Sequence, residues 1–412
     1  MPVDFARVPP NVVVPEPPRI SWPLWALLFA ILMSAGAGLS VYLLSPSEAS
    51  NGPWFWICVI AYPAMAWSLL LCCWLGWLHA RRSTAEATNH INERELLKCH
   101  QLAGKPLTVV GQAWCFSGNE EKNGIEGLVN GNLKLQPRAS LAEPGTDVTA
   151  RWIEIPGQPF FAGSEVAESA RRTATCEWLL LRLLGRLEND LRLLPASLTL
   201  RVTLSVGETI NPDAASQFLR TMLSNMRANT DVTVEATNES VSLFQIDAWL
   251  DSNDATFAYL LVAIQLRNAI SEIPEEGSAE AGVALLFGPP SHARTPTVHV
   301  HRPSKGVRDV TDATLSLAMR WGASQASEIK AAWECAVTPP FRTAIQSSTR
   351  FDPQTLLISL DTSIGDCGIA GPWLALALAA QQAMNKAEPQ LVLVQEGEEL
   401  IALTVKSKHE RT

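Results

Sequence analysis

Two long stretches without a formal charge constrain this chain more than anything else in it. Trp22 to Leu44 holds no Asp, Glu, Lys, Arg or His, and Trp54 to Ala80 holds only His79 at its end. A helix lets so long an apolar segment pair its own backbone N–H and C=O groups in hydrocarbon. At ~1.5 Å per residue, each segment reaches across a layer of about 30 Å. Tryptophans gather near the ends, Trp22 and Trp25 at one, Trp54 and Trp56 at another, Trp74 and Trp77 at the exit, where an indole keeps its ring apolar and its N–H wet. Both segments are predicted to span a membrane.

A leader peptide does not fit the first span, because a proline-rich tail with Asp4, Arg7, Glu16 and Arg19 precedes it and a second span follows. Arg7 and Arg19 lie before the first span and Arg81 and Arg82 after the second, whereas the linker 45–53 carries Glu48 and no Lys or Arg. Basic residues favour the cytoplasmic side. The expectation is a multi-pass protein of the cytoplasmic membrane: a cytoplasmic tail 1–21, a hairpin 22–80 (spans 22–44 and 54–80), a juxtamembrane linker 81–105, and a cytoplasmic domain 106–412. Gly36 and Gly38 offer a surface for close helix packing, and Pro63 predicts a kink. With no Asp, Glu, Lys or Arg in either span, the hairpin reads as an anchor among membrane lipids, not an ion path.

Of the eight cysteines, Cys58, Cys72 and Cys73 fall in the spans, leaving Cys99, Cys115, Cys176, Cys335 and Cys367. An odd number without CxxC spacing suits reduced, buried thiols. A net charge of −9, with Lys and Arg nowhere in a dense stripe, speaks against a nucleic-acid partner.

Beyond residue 106 the pattern alternates. "PLTVVGQAWCF" reads as strand and 118–165 as loops with short strands. Between Thr173 and Leu194 the spacing of Trp178, Leu181, Leu184, Leu187, Leu191 and Leu194 predicts an amphipathic helix stopped at Pro195, with Arg171 and Arg172 as its solvated start. Further strands are expected at 197–205, in "DVTVEA", "SLFQI", "AGVALLFG", "TVHVH" and "TLLISL", and in the closing pair "QLVLVQ" and "LIALTV". Helices are expected at 212–226, 254–270 (with Asp254 as N-cap), 312–321, 328–336 and 372–386. Such alternation predicts an α/β domain with helices on the faces of an inner sheet.

Two stretches, "FQIDAWLDSNDATFAYLLVAIQLRNAISEIPEEGSAEAGVALLFG" (244–288) and "LLISLDTSIGDCGIAGPWLALALAAQQAM" (356–384), with the closing 390–405, resemble the thiolase-like superfamily, especially its β-ketoacyl synthase branch. The resemblance implies a thiolase-like layered α/β/α cytoplasmic domain behind the transmembrane hairpin. A condensing enzyme of that kind needs a cysteine at the start of a buried helix in its first half, and imidazoles, or His and Asn, in its second. The glycine turn that would offer one imidazole reads Gly365-Asp366-Cys367-Gly368, followed by Gly371. A carboxylate accepts hydrogen bonds and donates none, so Asp366 would repel the oxyanion an imidazole stabilises.

No other residue repairs the loss. His90 and His100 are juxtamembrane, His292 lies in a proline-flanked loop, His409 in the tail, and His299 and His301 share one strand without a third metal ligand. Cys176 opens a helix, Cys115 sits between Trp114 and Phe116, and Cys367 reads as a small filler. The expectation is therefore no catalytic residue, no metal and no cofactor, with Gly365, Asp366, Cys367, Gly368 and Gly371 as an ancestral-site turn kept for packing.

The reading is a membrane-anchored, non-enzymatic adaptor or accessory protein that binds another protein, with a homodimer through the thiolase-like domain as a further expectation. Similar anchored, non-catalytic proteins accompany bacterial contractile (type VI) secretion machinery, which implies an inner-membrane role in effector loading. The alternative is a membrane-associated acyl-thioester condensing enzyme or acyltransferase, which needs a reactive thiol and an apolar tunnel.

Overall fold

The computed structural model describes residues 3–17, 19–43, 53–226, 231–252, 256–288 and 297–408. The linker 45–52, Asp254, His292 and His409 lie outside the described residues. The chain divides into two units, residues 4–99 and residues 100–412 with the first three residues.

The smaller unit contains helix α1 (Trp22–Leu43), a short helix Pro53–Trp56, and most of α2 (Tyr62–Ala103). Two helices are thus long and apolar enough to cross a membrane, with mean hydropathies of 2.0 and 1.9 over their most apolar windows. Pro63 cannot donate a helical N–H, and the turn just before it, Ile57–Ala61, widens to a π-helix. A Cβ at Gly36 would collide with the Pro63 ring, so the missing side chain is what lets the two helices meet there. Trp25 meets Trp67 edge to face at 6.3 Å and Trp74 at a tilt at 5.5 Å, and its carbonyl accepts from Trp67 Nε1 at 2.9 Å. The segment expected as a separate juxtamembrane linker continues as helix through Ala103. The tail lies along this unit's last turns: Asn92 Nδ2 donates to the Pro9 carbonyl at 3.2 Å, and Asn89 bonds Val12.

The larger unit is built on strands β1 (Leu107–Cys115), β2 (Thr199–Val206), β3 (Val232–Thr237), β4 (Phe257–Gln265), β5 (Ala281–Gly288), β6 (Thr297–Val300), β7 (Ser304–Val307), β8 (Ala331–Cys335), β9 (Leu356–Ser359), β10 (Gln390–Glu396) and β11 (Glu399–Lys408). They pair in the order β9-β8-β10-β11-β6-β1-β5-β4-β2-β3, with β7 beside β11. The order reads the same from either edge. In the first half β3, β2 and β4 run parallel, and β5 is antiparallel to both its neighbours, β4 and β1. In the second, β9, β8 and β10 run parallel, and β11 is antiparallel to both its neighbours, β10 and β6. The halves join where β1 pairs with β6, Leu107 opposite Val300 and Val109 opposite Val298.

Helices α3 (Glu165–Leu193), α4 (Pro212–Met226), α5 (Gln245–Ser252), α6 (Thr311–Trp321), α7 (Pro339–Ser347) and α8 (Gly371–Lys386) complete the layers. α3 and α4 cover the outer face of the first half with Leu179, Leu183, Leu219 and Leu223. α6 and α7 cover the second half with Leu315, Phe341 and Ile345. α8 lies inside, and α5 packs onto the same core with Ile246 and Trp249 while Gln245, Ala248 and Ser252 stay exposed. α8 is apolar on every face, and a helix of that composition belongs in an interior; Trp373 through Ala380 are fully buried.

Two expected helices are strands. The run from Asp254 to Ile270 contains β4, whose Ala258, Leu260, Val262 and Ile264 face α3 while Tyr259, Leu261 and Ala263 face α8. Burial on both faces erases the alternation that marks a strand. The run from Glu328 to Ala336 contains β8, buried at every position. Conversely, "SLFQI", expected as strand, leads into α5. Arg302 holds that helix by pairing with Asp247 and Asp251, each at 2.5 Å.

Candidate functional site

The glycine turn sits between β9 and α8, where the two halves of the sheet approach. Gly365 has φ +113° and Gly368 has φ +48°, backbone that glycine alone adopts without strain. Space is as restrictive as conformation. A Cβ at Gly365 would stand 2.8 Å from Ala279 Cβ, one at Gly368 2.6 Å from Gln265 Oε1, and one at Gly371 2.6 Å from Cys335 Sγ. The turn is stitched to the first half by Asp366 N–H donating to the Gly277 carbonyl at 2.7 Å and Ala279 N–H donating to the Asp366 carbonyl at 2.8 Å.

The Asp366 side chain points outward, 61% exposed, and accepts from Arg267 Nη2 at 2.9 Å and from Gly368 N–H at 2.9 Å. Its partner Arg267 borders a cleft of about 810 Å3 together with Asn238, Gln265, Gly368 and Ile369, with Glu208, Glu239, Glu272 and Glu275 on the same walls. Carboxylates prevail there, and Arg267 is already paired.

The thiols point the other way. Cys367 is buried and donates to the Gly365 carbonyl at 3.4 Å. Burial, then Asp366 and Asp361, pushes its pKa far up. Burial likewise raises Cys335 well above the ordinary thiol value, Cys176 to about 12, and Cys115 upward. All four are protonated near neutral pH, and the thiolate is the nucleophile.

The symmetry of the strand order makes α5 the counterpart of α8, so the start of α5 is where a first-half nucleophile would stand. The residues there are Ser242, Leu243, Phe244 and Gln245. The space between α5 and α8 is filled by rings: Trp249 lies 5.0 Å from Tyr259, 5.4 Å from Phe287 and 5.9 Å from Trp373, and Trp373 Nε1 donates to the Val241 carbonyl at 2.7 Å.

The histidines do not converge. His299 Nδ1 lies 3.4 Å from Thr108 Oγ1, and His301 is buried, its pKa lowered to about 4 by burial and by His299. His100 Nδ1 accepts from Trp321 Nε1 at 3.2 Å. His90 lies on α2 in the smaller unit. Among the described residues no group of His, Cys, Asp and Glu is placed to hold a metal.

One ionic cluster was misread in the sequence. Arg171 and Arg172, expected as a solvated helix start, are buried. Arg171 bonds Glu168 and Glu280, each at 2.6 Å, with all three side chains fully buried. Glu280 also accepts from the N–H groups of Ile153 and Arg267, and Glu168 from those of Ala269, Ile270 and Ser271. Burial opposes charge on Glu168, but Arg171 and the backbone donors overcome it and hold the pKa low. The cluster fixes the chain from Leu266 to Glu280, against which the glycine turn is laid. Its only signal in the sequence was the Glu168 to Arg171 spacing on the face that also carries Cys176 and Leu179.

No family model matches the chain, and no curated protein is similar to it in sequence. Solved structures are similar in fold. The PfaC keto synthase-chain length factor matches at a TM-score of 0.50 and 9% identity, over 75% of this chain and 43% of that one. The ishigamide ketosynthase/chain length factor matches at 0.45 and 14%, over 73% and 99%. The C-terminal type III polyketide synthase domain of Steely1 from Dictyostelium matches at 0.47 and 10%, over 73% and 99%. The larger unit has the thiolase-like, β-ketoacyl synthase-type fold, and the first of these likenesses carries that assignment.

Proposed function

We propose that this chain is a membrane-anchored, non-enzymatic member of the thiolase-like fold that binds another protein as an adaptor or accessory. The carrying observation is the glycine turn: Asp366 stands outward in an ion pair with Arg267, while Cys367 and Cys335 are buried as neutral thiols. A thioester chemistry needs a thiolate and an oxyanion donor together; this turn presents a carboxylate. The rings of Trp249, Tyr259, Phe287 and Trp373 pack together between α5 and α8, which weighs against an apolar tunnel there and so against the condensing or acyltransferase reading. The hairpin anchors the domain at the cytoplasmic face of the inner membrane, where confinement raises the effective concentration of a weakly held partner. The effector-loading context of type VI secretion, and a homodimer through the large unit, are parts of this proposal that rest on resemblance.

The test is intact-protein mass spectrometry of the detergent-solubilised chain after incubation with malonyl and fatty-acyl thioesters of coenzyme A and of acyl carrier protein. The expected mass is unchanged. A stoichiometric acyl adduct, lost on mutating Cys115, Cys176 or Cys367 alone, would overturn the reading in favour of an enzyme.

A further inference from the structure

The loops between β1 and α3 build a second cleft, of about 1070 Å3, whose Leu135 and Arg151 reach the backbone of Thr362–Ile364 just ahead of the glycine turn. The sequence shows no cationic stripe, yet folding brings Lys122, Lys134, Arg138 and Arg151 to the walls of this one cleft, with Glu154 as its single acidic wall residue. Arg138 pairs with Glu154 and lies 3.5 Å over the Trp152 ring. Lys122 and Lys134 are exposed, and neither has a carboxylate partner among the described residues. Arg151 is partly buried; Nε donates to the Ile364 carbonyl at 3.1 Å and Nη2 to the Ser363 carbonyl at 3.4 Å, and it too has no carboxylate partner. Removing a guanidinium from water without a counter-charge is costly, and burial holds the Arg151 pKa below its ordinary value. Trp152, 3% exposed, lines the same cleft with its Nε1–H lacking a hydrogen-bond partner among the described residues.

The dimensions and walls choose the ligand. The volume exceeds the ~300–1,000 Å3 of sites for single small molecules. Apolar Leu133, Leu135 and Phe160 alternate with the cations along the walls, and Phe161 beside them is 75% exposed. The segment Asn132–Pro137 is not part of any helix or strand, and the backbone N–H groups of Lys134 and Gln136 have no partner among the described residues. Such an edge accepts an extended chain by main-chain hydrogen bonds, with side chains read alternately.

We propose that this cleft docks an extended acidic segment of a partner protein, its carboxylates meeting Lys122, Lys134 and Arg151 and its backbone lying against Lys134–Gln136. This deepens the protein-binding reading above, and rests on it, by naming the chemistry of the partner.

The experiment uses the full chain in detergent and a short fluorescein-labelled peptide of alternating glutamate and valine, followed by anisotropy at low and high salt. The wild type should bind it, more weakly as salt rises, and should ignore the lysine–valine counterpart. The double variant Lys122→Glu, Lys134→Glu, at two exposed positions, should bind about tenfold or more weakly with an unchanged melting temperature. No binding, or equal binding by the double variant, overturns the proposal. Full displacement by inorganic phosphate, or preference for phosphatidylglycerol vesicles over the peptide, overturns it in favour of a phosphate or lipid site. Loss of peptide binding without an acyl adduct sinks the cleft alone; an adduct with peptide binding intact sinks the non-enzymatic reading alone.

Discussion

Asn89 closes two hydrogen bonds on a single residue of the N-terminal tail, accepting from the Val12 N–H at 2.7 Å and donating to the Val12 carbonyl at 2.8 Å. The pair requires the tail and the helix beyond the second span to share one side of a membrane, independently of where the arginines lie. A reporter active only outside the cytoplasm should therefore work when inserted in 45–53 and stay silent when fused ahead of the tail or after Thr412. Activity at one terminal fusion alone would refute the hairpin, and activity at both with silence in 45–53 would reverse its orientation. Asn89→Ala should leave this pattern intact while making the tail around Val13, already 88% exposed, more readily cut by protease.

For the glycine turn, Gly368→Val should cost about 2–4 kcal/mol, because φ is positive and Gln265 stands in the way. Gly371→Val, which meets Cys335 Sγ, should cost about 1–3 kcal/mol. Asp366→Asn removes an exposed pair and should stay within about 1 kcal/mol of wild type. Thermal melts followed by near-ultraviolet circular dichroism rank the three, and equal stability would show that the turn is not a packing element.

Arg171→Met should destabilise the large unit by about 3–5 kcal/mol at pH 7, since it leaves two buried carboxylates without their counter-charge. The folded pKa of Glu168 lies below its ordinary 4.5. Its contribution is thus present above that ordinary value and lost as pH falls through the folded one. Denaturant unfolding should show the gap between variant and wild type narrowing below about pH 4.5. A gap independent of pH would mean that packing, not charge, carries the effect.

His301 runs on a different window. Its pKa is about 4 in the folded chain against an ordinary 6.5, so between those values the unfolded chain binds a proton that the folded chain refuses. Stability should fall as pH drops from 6.5 toward 4, by on the order of 2–3 kcal/mol from this group. His301→Gln should flatten that part of the profile. An unchanged slope would assign it elsewhere.

The two long apolar helices were legible because so long an uncharged run pairs its own backbone best as helix, and α3 because Leu184, Leu187 and Leu191 repeat at helical spacing on one buried face. β4 and β8 were not, since the local pattern of Phe257–Gln265 and Ala331–Cys335 is unbroken apolar sequence that becomes strand only by having a layer on each side. The glycine turn could be found as a sequence. Its partners could not: Asp366 meets Arg267 and Arg171 meets Glu280 across 99 and 109 residues, and the cations of the second cleft come from loops that only the fold brings together. Charge in a linear sequence says how much is present, whereas solvent access and pairing decide what it does.

The seam between the halves also sets a timetable for synthesis. β1 is the first strand of the large unit to be made, yet both of its neighbours, β5 and β6, lie near and beyond residue 281. At ~5–20 residues per second a ribosome needs roughly ten to thirty seconds to deliver them. Throughout that interval Val109, Val110 and Ala113 have no sheet partner, and only α3 is available to cover Val110 and Ala113, so the nascent large unit is most in need of a chaperone at its N-terminal end.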